Sequence, residues 1–266
     1  MAQTKQAVAD RLSDHISIGV LTQTFTPELI DRVVKQSGRT EKRIRLLPSR
    51  VVVYFTLAMC LFARESYNEV MALLVKGLRW TEQWSPSWKL PTDTAIGLAR
   101  RRLGPEPLRL LFGIVAKPLA SPGASESSYR EWRLVAVDGT TLDLADTTEN
   151  DAFYGRPGSK GADRAAFPQA RILGLVECGT HAVVAARIGR YNDSEVALAP
   201  ELFKSLRPGM LNLCDRGFWS HDLWNSARKS GADLLWRTKS NVILPAIEML
   251  ADGSYLSEIR SSKDKK

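Results

Sequence analysis

Two aspartates lie where acids could share a task. Asp138 closes the apolar run RLVAVD and Asp215 closes MLNLCD, 77 residues further on. Both runs read as short strands, so each delivers its acid at a carboxyl end. Two carboxylates brought together on adjacent strands repel each other, and a divalent cation resolves the repulsion. Mg2+ (or Mn2+) suits such a pair: it prefers oxygen ligands and keeps waters and substrate phosphates in its shell. From there it can activate a water or a 3′-hydroxyl while stabilising the leaving oxygen. The alternative for either acid is an N-cap or turn carboxylate, and Asp138 before Gly139 suits a turn.

The surrounding pattern supplies the elements that would position these acids. After RLVAVD come two strand-like stretches, Ala170 to Cys178 and His181 to Ile188, joined by Gly179-Thr180 as a hairpin. Apolar spacing at Val196, Leu198, Ala199, Leu202 and Phe203 predicts a helix over Ser194 to Leu206. The strand ending in Asp215, a helix from Ser220 to Ser230 and a strand from Asp233 to Thr238 complete a β-β-β-α-β-α-β order, an α/β arrangement with a mixed sheet.

The preceding half reads as helical. Thr26-Pro27-Glu28 gives an N-cap, a proline at the first helical position and an early acid, with Gly38 as the stop. Ser49 is positioned to cap a long apolar helix, and Ser66 with Glu69 makes a capping box for another that stops near Gly77. Helices over Thr92 to Leu103 and Pro107 to Leu119 follow. Trp80, Trp84 and Trp88 are read as plugs of this helical core. Ser121 to Ser128 (SPGASESS) reads as a linker, so the expected division is residues 1–120, a linker at 121–131, and 132–266.

Charge divides along the same line. Of a net +8, Met1 to Glu131 carries 19 Lys+Arg against 12 Asp+Glu, whereas Trp132 to Lys266 carries 18 against 17. The densest run holds Arg39, Lys42, Arg43, Arg45 and Arg50 against Glu41 alone, with a second at Arg100, Arg101 and Arg102. Such clusters suit a polyanion, because each neutralised phosphate releases condensed counterions; a solvated helix face is the bland alternative. At 44% hydrophobic and 25% charged residues the composition excludes disorder and collagen-like repetition. The longest apolar run, Val51 to Ala63, has 13 residues where a membrane span needs about 18 to 20. No secretory pattern opens the chain, which suggests a cytoplasmic location. Cys60, Cys178 and Cys214 form no CxxC pair and read as reduced core residues.

The segments VAVDGTTLDLADT, FPQARILGLVECGTHAVVAARIG and LCDRGFWSHDLWNSARKSGADLLWRTKSN look like those of the bacterial DDE transposases of the insertion-element-four family. The basic helical part, DRLSDHISIGVLTQTFTPELIDRVV through FARESYNEVMALL, resembles that family's amino-terminal domain. The resemblance implies a helical DNA-binding domain followed by an RNase H-like core, with metal ligands at Asp138 and Asp215. It further implies hydrolysis of a phosphodiester at the element end, then attack by the freed 3′-hydroxyl on the opposite strand or on target DNA. Double-stranded DNA, as terminal repeats and target, would be the partner at the nucleoid, with self-association or association with a full-length transposase. Arg216 and Arg237 are phosphate contacts by position, or else ion-pair partners. Trp219 and Trp224 are read as packing residues.

The third ligand of that family is a glutamate in a Y-x2-R-x3-E-x6-K helix beyond an inserted β-rich region. Only 51 residues follow Asp215, and neither Glu248 nor Glu258 has the required neighbours. The expectation is therefore an RNase H-like core that is carboxy-terminally incomplete, inactive as a nuclease, with a non-catalytic DNA-binding or interfering protein as the alternative. A weaker reading has Asp143 or Asp146 replace the glutamate.

Overall fold

The computed structural model describes residues 12–43, 45–78, 90–158 and 164–260. The expectations for Trp80, Trp84 and Trp88 and for the basic tail after Arg260 lie outside them. The chain divides into two compact units, Met1–Val115 and Ala116–Lys266.

The first unit is helical: α1 (Leu12–Thr24), α2 (Pro27–Gln36), α3 (Ser49–Leu61), α4 (Tyr67–Leu78), α5 (Asp93–Leu103) and α6 (Glu106–Val115). Local chemistry explains the boundaries. The Thr26 hydroxyl accepts from the Leu29 N–H at 3.4 Å, and Thr92 does the same for Ala95 at 3.2 Å. Ser66 and Glu69 form the reciprocal capping box, with the Ser66 N–H donating to Glu69 at 2.8 Å. One expectation is corrected. Ser49 does not cap α3: it is the first residue of that helix, its own N–H and hydroxyl both donate to Glu41, and the N-cap is Pro48. The described part of α4 runs to Leu78, beside Gly77, and a Cβ at that glycine would collide with Ile18 of α1. Ile30, Val33, Val53, Phe55, Met71 and Leu74 form the centre of the core. Cys60, expected in that core, is exposed on α3.

The second unit is a mixed sheet with helices on one face. Its elements are β1 (Ser128–Tyr129), β2 (Trp132–Asp143), α7 (Thr148–Tyr154), β3 (Gln169–Glu177), β4 (Val183–Arg190), α8 (Glu195–Phe203), β5 (Met210–Cys214), α9 (His221–Arg228), β6 (Asp233–Trp236) and the hairpin β7 (Ala246–Met249) and β8 (Tyr255–Ser257). The strand order is β4-β3-β2-β5-β6. β2 to β4 form an antiparallel meander, while β5 and β6 add to the other side of β2 in parallel. Three antiparallel strands followed by two parallel ones constitute the RNase H-like α/β arrangement. Val135, Val137, Leu173 and Leu175 pack with Leu202 and Phe203 of α8 and with Leu223 of α9. The opposite face carries Leu134 and Ala136, with Leu235 61% exposed.

β2 corrects another expectation. It does not end at Asp138 but continues through Gly139, Thr140 and Thr141 to Asp143, because β3 pairs with it along that entire length. The DGT segment is therefore extended strand and not a turn.

Candidate metal centre and nucleic-acid interface

The second unit places the two predicted acids on neighbouring strands. β2 and β5 pair in parallel, the last pair of their register is Val137 opposite Cys214, and Asp138 and Asp215 are the residues that follow it. Neighbouring strands are about 4.8 Å apart, within reach of one cation for two carboxylates on the same face. Val137 and Cys214 point into the helix-covered core, so alternation along β2 turns Asp138 to the opposite face, while Asp215 follows directly after β5. Both are exposed. The Gly139 N–H donates to Asp138 Oδ1 at 2.8 Å and the Gly217 N–H to Asp215 Oδ1 at 2.8 Å. Each carboxylate is thereby oriented through one oxygen, and neither Oδ2 has a hydrogen bond among the described residues. Two anionic oxygens with free lone pairs are the donor set Mg2+ or Mn2+ takes, so the residues present fit such an ion as a partial site. No group of three or more His, Cys, Asp or Glu that could hold a metal occurs among the described residues.

The substitutes considered for a third acid do not reach this place. Asp143 stands five residues along β2, about 16 Å away, and accepts from Gln169 at 2.8 Å. Asp146 pairs with Arg156 at 2.6 Å. Arg237, whose N–H donates to the Cys214 carbonyl at 3.0 Å, extends β6 to the level of Asp215. Neither Arg237 nor Arg216 forms an ion pair with a carboxylate among the described residues, so both guanidinium groups are available to phosphate. Trp219 and Trp224 pack as expected: they meet edge to face at 5.7 Å, and Trp224 meets Trp236 at 5.4 Å.

Three positioning residues escaped the sequence reading. Asn212, fully buried on β5, accepts from Trp236 Nε1 at 2.9 Å and donates to the Val135 carbonyl at 3.5 Å. One amide thus links β2, which carries Asp138, with β5 and β6, which lead into Asp215 and Arg237. Asn212 Oδ1 also accepts from the Cys214 thiol, whose pKa burial and then the Asp215 charge push up to about 12. Gly174 lies opposite Asp138 on β3 and leaves the space beside that carboxylate open. Glu195, at the start of α8, occupies the place where a Cβ of Gly139 would lie, and pairs with Arg171 of β3 at 3.1 Å. Partners so remote in sequence leave no local signal. The run MLNLCD, with its lone polar Asn212 on a core-facing position, was the one available hint.

In the first unit the two basic runs converge. Arg39 Nη1 donates to the Arg102 carbonyl at 3.3 Å, and Arg102 Nη2 donates to the Leu47 carbonyl at 2.8 Å. Lys42 and Arg43 are exposed, Arg45 is half-buried, and neither arginine has a side-chain bond among the described residues. Arg50 stands apart from them: its guanidinium grips both carboxylate oxygens of Asp31, so a phosphate would have to compete with that acid.

Residues 15–113, the helical unit, match the family described as Insertion element 4 transposase N-terminal. Over 241 residues the sequence is 28% identical to transposase InsG for insertion sequence element IS4 of Escherichia coli (strain K12). The chain is similar in sequence to insertion-element-4 transposases. That alignment covers 89% of this chain and 52% of InsG, so the chain spans about half the length of that relative. The putative transposase InsZ of the same organism is 24% identical over 235 residues, covering 88% of this chain and 74% of InsZ. Among solved structures, a piggyBac transposase synaptic complex with hairpin DNA matches 89% of this chain and 53% of its own, at a TM-score of 0.42 and 15% identity. Among the described residues no helix is long and apolar enough to cross a membrane.

Proposed function

We propose that this chain is the end-binding and acid-bearing part of an insertion-sequence DNA transposase. Its helical unit holds element ends and its RNase H-like unit contributes two carboxylates to a divalent-metal site. The observation that supports the reading is the parallel register that ends with Val137 opposite Cys214, one residue before each of the two exposed aspartates. The amino-terminal family match and the resemblance to InsG support the DNA partner.

When bound, Mg2+ or Mn2+ would supply electrostatic stabilisation of a phosphodiester under attack and acidify the attacking water. The chain's own residues do the remaining work. Asp138 and Asp215 would hold the ion. Arg216 and Arg237 would neutralise phosphate oxygens of the DNA. Arg39, Lys42, Arg43 and Arg45 hold the duplex through its backbone, with Arg50 a weaker contributor because of Asp31. Two carboxylates hold a divalent cation loosely, so residues 1–266 alone bind DNA without cutting it efficiently, and a further ligand is required for strand cleavage and transfer.

The test is a strand-cleavage assay with Mg2+ on duplexes bearing terminal repeats, alongside a mobility shift. Salt-sensitive binding without cleavage is the expected result. Asp138-dependent cleavage would overturn the incomplete-site reading, and absence of any salt-sensitive shift would overturn the DNA-binding one.

A further inference from the structure

The convergence of the two basic runs creates a cavity of about 290 Å³ between α5 and the residues Arg43, Arg45, Leu46 and Leu47. Arg43, Arg45 and Arg102 line it, and Leu46, Ala95 and Ala99 contribute apolar surface. We propose that this pocket seats one phosphate of a DNA backbone together with its attached deoxyribose, with Arg102 as the anchoring ligand. The proposal rests on the DNA-binding reading and goes beyond it by assigning a discrete site to what the sequence shows only as charge.

Three points support it. First, three arginines line the cavity, and no carboxylate is among the described residues that line it. Arg43 and Arg45 have no side-chain bond among the described residues, whereas the nearby acid Glu41 is committed to Ser49. Second, Arg102 is held in place. Its Nη2 bonds to the Leu47 carbonyl and its own carbonyl accepts from Arg39, so its remaining N–H donors are presented without the entropy loss of ordering a free side chain. Third, the lining mixes guanidinium groups with apolar surface. A bare inorganic anion has no use for Leu46, Ala95 and Ala99, whereas a sugar attached to a phosphate covers them. The volume lies at the small end of ligand pockets, sufficient for one nucleotide's backbone and too small for an extended strand.

The experiment measures fluorescence anisotropy of a labelled duplex of about 25 base pairs with the whole chain over a salt series. Arg102→Ala should weaken binding about tenfold and flatten the plot of log affinity against log salt by about one. Ala95→Glu, which keeps every arginine and places a carboxylate at the pocket, should weaken binding at least as much; it decides the matter if Arg102→Ala fails to fold. Arg101→Ala removes the same charge from α5 outside the pocket and should cost clearly less. Equal losses in Arg101→Ala and Arg102→Ala would overturn the proposal, leaving only a general field. Thymidine monophosphate should displace the duplex at lower concentration than inorganic phosphate, and equal potency would overturn the role given to the apolar surface. A wild-type chain with no salt-dependent duplex binding would instead bring down the DNA-binding reading itself.

Discussion

Replacing Glu177 with glutamine should destabilise the sheet unit by about 3 kcal/mol at neutral pH, and the network around this carboxylate gives the figure in two ways. Glu177 is fully buried at the end of β3. It accepts from the backbone N–H groups of Leu119 and Ala120, each at 2.9 Å, from the Thr180 hydroxyl at 2.5 Å, and from the Arg133 guanidinium. Burial works to raise its pKa, but the Thr180 hydroxyl, the two amides and Arg133 outweigh it and hold the carboxyl down from 4.5 to about 2. A depression of that size corresponds to about 3 kcal/mol of stability carried by the charged form. Independently, removing one partner of a buried ion pair costs about 3 to 5 kcal/mol. Arg133 keeps 21% of its side chain exposed, which favours the lower end.

Because the folded pKa lies below the unfolded one, the contribution is complete above pH 4.5 and disappears as pH falls towards 2. Glu177→Gln should remove that pH dependence along with the stability. The assay is urea unfolding followed by hydrogen exchange, read separately at residues 173–176 for the sheet and at 119–120 for the tethered segment, since two units need not unfold together. A variant within about 0.5 kcal/mol of wild type at pH 7, with unchanged protection at 119–120, would refute the reasoning.

Other expectations concern the strands that carry the acids. Asn212→Leu leaves the Trp236 indole N–H without an acceptor and should cost about 1 to 3 kcal/mol in urea unfolding, a loss that shrinks when Trp236→Phe is added. Gly139→Ala must displace the Glu195 carboxylate from Arg171. It should cost about 1 kcal/mol, and combination with Glu195→Ala should be less than additive; full additivity in a double-mutant cycle would contradict the contact. Cys214, with its thiol pushed up to about 12, should resist iodoacetamide at pH 8 while exposed Cys60 reacts; equal labelling by mass spectrometry would contradict the burial of β5.

The sequence made legible whatever is encoded within a few residues. Thr26, Thr92, Ser194 and Ser220 each cap the helix expected after them, and the apolar runs at 133, 170 and 210 each became a strand. Errors arose where a distant partner decides. Gly139 suggested a turn, but β3 keeps β2 extended and Glu195 explains the glycine. Ser49 suggested a cap until Glu41, eight residues earlier, supplied the acceptor for its N–H. The same holds at the sites. Asp138 and Asp215 were visible because each ends an apolar run, but the bond from Asn212 to the Val135 carbonyl, 77 residues away, that ties their strands together was not. The two arginine runs were visible as charge. Their meeting across 63 residues, through Arg39 and Arg102, was not.

The claim that Asp138 and Asp215 together hold one divalent cation can be tested without any nuclease activity. Ferrous iron bound in place of Mg2+, with ascorbate and peroxide, cuts the polypeptide next to its ligands, and the fragments map the site. The account predicts cuts at both 137–140 and 214–217, suppressed by excess Mg2+ and lost together in Asp138→Asn and in Asp215→Asn. Cuts at only one segment, or cuts at 214–217 that persist in Asp138→Asn, would contradict it.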